Sequence, residues 1–230
     1  MLNYNSVNRK DFYKKKISDH IQDKDSSILV LGAGNLDQEV FEELKFNNVK
    51  LSNIQNNDNL SLLDLYNLHD LKIENEKFDY CIAHACIHHS SKPHNAVLEM
   101  YRVSKKGVLI IESTDSLLSR LACKLNLSEE FELSAVKKNK TFGGVDNTKV
   151  PNFVFRWTER EIQKLFKSFK PEIIHLIEFD YANHIKFSNS FIIKFIFKIF
   201  FWFFKKQQNL FSIFVDKRDE LLNIQKWYKR

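Results

Sequence analysis

The adjacent pair His88-His89 is the chain's first candidate for proton chemistry, because an imidazole changes charge near neutral pH and suits a general base. Either ring could instead cap the helix expected after it, or simply pack. Glu112 and Asp115 flank the end of an apolar run. They can bind the hydroxyls of a polar substrate, act as a base, or cap the helix expected from about Ser116. Arg156, beside Trp157, has a guanidinium fork that matches a phosphate or carboxylate, and serves equally well in a surface ion pair. Gly143-Gly144 marks either a simple turn or a hinged loop that closes over substrate. Cys81 and Cys86 lie in or beside an apolar run and read as core residues. With Cys123 the cysteines are odd in number, and neither Cys nor His shows ligand spacing, so no metal site is expected.

These residues need a scaffold, and the apolar pattern supplies one. Ile28-Leu29-Val30-Leu31 is wholly apolar and is stopped by Gly32, as in a parallel strand buried on both faces. From Asn35 to Phe46, Leu36, Val40, Phe41 and Leu44 follow a helical period. Further strands are expected over 49–54, 60–64, 78–83, 107–111, 172–179 and 210–215. Helices are expected over 8–22, 95–104, 115–137 and 158–169, the last opened by Thr158 with Glu161 three residues on and closed by Pro171. Alternating βα units imply a Rossmann-like, doubly wound, mostly parallel sheet. The link 55–59 is too short for a crossover helix. One domain over 1–230 is expected, with 182–208 inserted as an aromatic, basic helix between the last two strands.

Gly32-Ala33-Gly34 joins the first strand to the first crossover helix, where free backbone N–H groups can approach a ligand. Only five glycines occur in 230 residues, so two in one turn carry weight. The dinucleotide pattern G-x-G-x-x-G is broken at Asp37, an acid that would repel a pyrophosphate. Ligands on such sheets sit beyond the strand ends, where Asn53, Asp64, His84 and Glu112 fall. Asn53 suits a ribose hydroxyl and Asp64 an adenine amino group. The set describes an adenosine pocket without a phosphate site.

The run Phe78-Asp79-Tyr80-Cys81-Ile82-Ala83-His84-Ala85-Cys86-Ile87-His88-His89 resembles the fourth-strand motif of class I S-adenosylmethionine (SAM)-dependent methyltransferases. So do Leu98-Glu99-Met100-Tyr101-Arg102-Val103 and Lys106-Gly107-Val108-Leu109-Ile110-Ile111-Glu112. The ensemble, over about 27–113, is similar to the methyltransferase type 11 group. Residues 150–161 also resemble related bacterial proteins. The resemblance implies a seven-stranded sheet with an antiparallel last strand, SAM as cofactor, and methyl transfer to a small-molecule, sugar or lipid-linked acceptor. It implies that Gly32, Ala33 and Gly34 hold the methionyl part, Asn53 the ribose, and Asp64 with Leu65 the adenine. His84 and Ala85 would lie under the cofactor, His88 and His89 near the reacting methyl, and Glu112, Asp115, Arg156 and Trp157 around the acceptor. Val30, Leu36 and Asn53 depart from the family's usual acid, glycine and acid.

The formal net charge of +6 comes with Lys outnumbering Arg by 28 to 7 and without Arg-aromatic interleaving, which argues against a nucleic-acid partner. Residues 3–25 hold no apolar core of a signal peptide, so a reduced cytoplasmic setting is expected. The stretch 191–204 is aromatic and cationic; as a helix it spans roughly 21 Å, short of the ~30 Å of a bilayer core. Two roles fit it: peripheral contact at the inner membrane face through 191–206, or packing on the domain or a second copy. A nicotinamide-dependent oxidoreductase and a membrane-docked scaffold without catalysis are the competing functional readings.

Overall fold

The four apolar residues of β1 (Ile28–Leu31) lie in the interior of the sheet and are buried on both faces. In the computed structural model, which describes residues 8–54, 63–139, 142–184 and 199–222, β1 pairs in parallel with β2 (Val49–Asn53) and β4 (Phe78–His84). β3 (Leu63–Leu65) extends the sheet beyond β2, and β5 (Ser104–Ser113) extends it beyond β4. β6 (Ile173–Ala182) and β7 (Leu210–Leu222) complete the order β3-β2-β1-β4-β5-β7-β6. β7 runs antiparallel to both its neighbours, so six strands are parallel and the last is reversed, as expected.

The period-2 alternation of the central strands divides the core in two. Ile28, Val30, Ile82 and Leu109 face α1 (Arg9–His20) and α2 (Asn35–Leu44), where they meet Tyr13, Ile17, Val40 and Phe41. Leu29, Leu31, Cys81 and Ile110 face α3 (Pro93–Val103) and α6 (Glu159–Phe169), where they meet Met100, Tyr101, Ile162 and Phe166. Cys81 and Cys86 are buried thiols, in keeping with the core reading. Helix starts follow local chemistry. Thr158 accepts from the Glu161 N–H at 3.1 Å, and Pro93 opens α3.

The expected helix 115–137 is not continuous. α4 (Leu117–Lys124) ends before Asn126, whose φ of 56° breaks the helical path. The chain then runs alongside 152–154, with the Glu132 N–H on the Asn152 carbonyl and the Val154 N–H on that of Glu130, both at 2.9 Å. α5 (Leu133–Asn139) follows. The apolar spacing was right for α4 but could not register this non-local pairing. Within the expected insertion 182–208, residues 185–198 lie outside the described residues. Residues 199–203 are helical, with Phe201 buried and Trp202, Phe203 and Phe204 exposed. Among the described residues no helix is long and apolar enough to cross a membrane.

Gly32 leaves β1 at φ 62°, and a Cβ there would stand 2.4 Å from the Cys86 Cβ. This close approach lets the β1 turn and the β4 turn share one site. Gly32→Ala is expected to lower stability by about 3 kcal/mol, from overpacking added to backbone strain, as read by urea unfolding. Adding Cys86→Gly should recover the overpacking part; no recovery would mean that strain alone carries the cost.

Candidate functional site

The Gly32-Ala33-Gly34 turn is built differently from a phosphate-binding turn. The Ala33 N–H donates to the Ser52 carbonyl, and the Gly34 N–H donates to the Asp37 carboxylate, both at 2.9 Å. Asp37 therefore supplies the negative charge at the start of α2, where a pyrophosphate would otherwise sit. The expectation that the turn presents free N–H groups at these two residues is corrected: they are satisfied internally. The Tyr13 hydroxyl also donates to Asp37, at 2.9 Å. Burial pushes the Asp37 carboxyl up to about 6 despite these bonds.

Gly32 alone of the three turn residues reaches a cavity of about 200 Å³, together with Asn53, Tyr66, Asn67, Ala85, His89 and the Gly143–Asn147 loop. Among its described lining residues there is no Lys or Arg. Asn53 donates its amide to the Ala33 carbonyl at 3.0 Å and accepts from the Ile54 N–H at 2.7 Å, so it ties the turn to the end of β2. Asp64 takes no part in the lining. Its carboxylate pairs with Lys50, and Leu65 is largely exposed. Asn67, two residues past β3, lines the cavity where Asp64 and Leu65 do not. The loop 143–147 lies over this cavity because Asp146 accepts from the Ser91 N–H at 3.0 Å and stands 3.7 Å from His69.

Ala85 is the ridge between this cavity and a second one of about 280 Å³. It sits at φ 51°, fixed by its N–H on the Ile111 carbonyl at 2.8 Å. The second cavity is lined by Arg9, His84, His88, Glu112, Glu132 and Arg156 among others. His84 thus lines this cavity and not the one that Gly32 and Asn53 line. It stacks on Tyr13 at 4.5 Å, and burial lowers its pKa to about 4, which keeps it neutral. Glu112 is fully buried and accepts from the Ile87 N–H at 2.7 Å and from His88 Nδ1 at 2.8 Å. Glu132 stands 3.6 Å from His88 Nε2 and 3.2 Å from His89 Nε2. Burial opposes a charge on His88, but the attraction of Glu112 and the bonds from both carboxylates outweigh it and hold its pKa well above the ordinary value. The two carboxylates therefore favour the charged form of His88.

Of the other three expected substrate contacts, two fall elsewhere and the third is already engaged. Asp115 forms a two-bond ion pair with Arg120, at 2.5 and 2.8 Å, over a separate shallow depression. Trp157 is fully buried in the core, its backbone N–H on the Ser113 carbonyl and its carbonyl taking the Asp115 N–H, so it packs instead of facing a cleft. Arg156 does line the second cavity, but its guanidinium is spent on the Val154 and Glu129 carbonyls and the Ser128 hydroxyl. It braces the 128–132 segment instead of presenting an open fork.

Residues 40–111 match the family described as a methyltransferase domain. A putative methyltransferase from Bacillus halodurans superimposes with a TM-score of 0.52 at 13% identity, covering 89% of this chain and 98% of its own. A SAM-dependent methyltransferase from Archaeoglobus fulgidus gives 0.56 at 8% identity, covering 90% and 94%. This is the class I methyltransferase fold. A third structure with this fold is the Burkholderia thailandensis 1,6-didemethyltoxoflavin-N1-methyltransferase, which holds 1,6-didemethyltoxoflavin and S-adenosylhomocysteine. It gives 0.54 at 10% identity, covering 92% and 79%. No curated protein matches the chain. The methyltransferase fold places the two cavities at the carboxyl ends of the parallel strands, where open α/β sheets bind ligands.

Sequence reasoning missed Glu132, Asn67, Asn147 and Arg9. Glu132 read as the middle of a helix, and Arg9 lies far from every motif. Gly143-Gly144 was the available signal for the loop that brings Asn147. The buried Asp37 yields a pH test. Its folded pKa of about 6 exceeds the ordinary 3.8, so the cost of burying its charge is fully present above pH 6 and is relieved as pH falls toward 4. Wild type should therefore gain stability relative to Asp37→Asn by about 2 kcal/mol between pH 7 and 4, measured by denaturant unfolding. A pH-independent difference would refute the assignment.

Proposed function

We propose that this protein is a SAM-dependent methyltransferase that binds its cofactor in the Gly32–Asn53–Asn67 cavity and its acceptor in the His84–Glu132 cavity. The observation that carries the reading is the junction at Ala85, where a cavity lined without Lys or Arg meets a charged one. A cofactor without phosphate groups fits the first. A nicotinamide dinucleotide does not, because its pyrophosphate would meet Asp37 at the start of α2. When bound, SAM supplies an electrophilic methyl group. The protein's task is then chiefly alignment of donor and acceptor. Ala85 keeps the passage between the cavities narrow and open. Asn53, Asn67 and Asn147 offer neutral amides on the cofactor side, and the Asp146-anchored loop shields that side from water. His88 and Glu132 orient the acceptor at the other side of Ala85, while His89, on the cofactor side, faces Glu132 at 3.2 Å.

The acceptor reading goes one step further. Ser128, Glu129 and Glu132 line the acceptor cavity, while their neighbours Leu127, Phe131 and Leu133 turn to solvent with 79%, 49% and 45% exposure. A polar cavity with an apolar rim favours an acceptor with a polar head and an apolar tail, which includes lipid-linked intermediates. The exposed Trp202 and Phe203 are consistent with peripheral membrane contact during such a reaction.

Calorimetry should show SAM and S-adenosylhomocysteine binding and no NADH binding; the reverse order would sink the proposal. Ala85→Leu, which fills the junction, should leave cofactor affinity within a few-fold but slow methyl transfer by about 100-fold or more. With labelled SAM and cell extract, the label should appear in the organic-extractable fraction. Label confined to water-soluble products would remove the lipid-linked part of the reading.

A further inference from the structure

We propose that His88, His89 and Glu132 bind one first-row divalent metal ion of the zinc class between the two cavities. The three side chains each bring one ligand atom to within 4.8 Å of the others. Both imidazole Nε2 atoms approach one Glu132 oxygen, at 3.6 and 3.2 Å. Ligand atoms held ~2.1 Å from a tetrahedral ion stand about 3.4 Å apart, so small shifts would admit the ion. Two imidazoles with one carboxylate favour zinc and its first-row neighbours over magnesium or calcium.

The surroundings hold these ligands in place. His88 turns its other nitrogen, Nδ1, to the buried carboxylate of Glu112 at 2.8 Å. Metal-bound histidines regularly carry such an outer carboxylate, which fixes the ring and directs Nε2 at the ion. Glu132 is positioned by Asn152, whose amide donates at 3.2 Å to the same carboxylate oxygen that faces the imidazoles and whose carbonyl takes the Glu132 backbone N–H at 2.9 Å. On binding, His88 releases its Nε2 proton to solvent, because a ligating imidazole is neutral.

Three protein ligands leave a coordination position open, and His88 and Glu132 both line the acceptor cavity. Three ligands plus an open position is the arrangement of catalytic rather than structural zinc. An ion there would bind an acceptor oxygen and ease loss of its proton. That role rests on the methyl-transfer reading; the binding itself does not. The sequence expectation of no metal failed to anticipate this set because Glu132 arrives from a distant segment, outside any local ligand spacing.

The test uses the full chain after chelator treatment, titrated with Zn²⁺ by calorimetry and with Co²⁺ by visible absorption. One equivalent of either ion is expected. His89→Ala and Glu132→Gln should each abolish binding, and Glu112→Gln should weaken it by about 10- to 100-fold. His94→Ala, whose ring instead faces Glu161 at 3.1 Å, should bind as wild type does. Circular dichroism checks that each variant is folded; should His89→Ala not fold, Glu132→Gln decides. No stoichiometric binding by wild type, or binding that survives Glu132→Gln, overturns the site. SAM is titrated into the same preparations. Cofactor binding without metal binding defeats this inference alone, and metal binding without cofactor binding defeats the methyltransferase proposal alone.

Discussion

Glu112 is the side chain on which the rest of the site depends. It is a carboxylate with no exposure at the end of a central strand, and such a charge is tolerable only when its lone pairs are filled. One oxygen takes the Ile87 N–H and the other takes His88 Nδ1. These two bonds lock the turn after β4 onto the end of β5. The same turn carries Ala85, held by Ile111, and Cys86, whose thiol donates to the Leu31 carbonyl at 3.2 Å and whose Cβ presses on Gly32. The ends of β1, β4 and β5 are thereby fixed relative to one another by one buried acid and its immediate neighbours.

From that lock follows a division of charge. The His84–Glu132 cavity contains Arg9, His88, Glu129 and Glu132, while the Gly32–Asn53 cavity has no described Lys or Arg. Asp37 reinforces the division from beneath the turn, where its charge stands at the start of α2. Its bond with Tyr13 ties α1 to the turn, and Tyr13 in turn stacks on His84. A single helix therefore supports both the Gly32–Gly34 turn and His84 in the wall of the second cavity. α1 carries no recognisable motif, and its part in the site emerged only from packing.

The sheet was legible in the chain because its signal is local. Ile28–Leu31 and Val108–Ile111 are continuous apolar runs bounded by glycine or a polar residue, and such runs fold as buried strands wherever they occur. Pairing at a distance is not local, and there the sequence reading went astray. The helix expected over 115–137 breaks where the chain pairs with 152–154, and that break is what delivers Glu132 to the two histidines. Trp157, read as a substrate contact, is drawn into the core, because burying a large ring beside Phe155 and Ile162 outweighs exposing it at a cleft.

The sequence by itself determined the order of elements, the Gly-rich turn after β1 and the absence of a pyrophosphate pattern, since each is written in neighbouring residues. Only the tertiary structure decided what the polar residues near the strand ends do. Asp64 and Asp115 have the right type and the right neighbourhood, yet each turns to a cation of its own, Lys50 and Arg120. Glu112, His88, His89 and Glu132 become one cluster because three separate segments converge over the β4–β5 ends. A carboxylate's role is set by which partner satisfies its charge in the folded chain, and spacing along the sequence does not specify that partner.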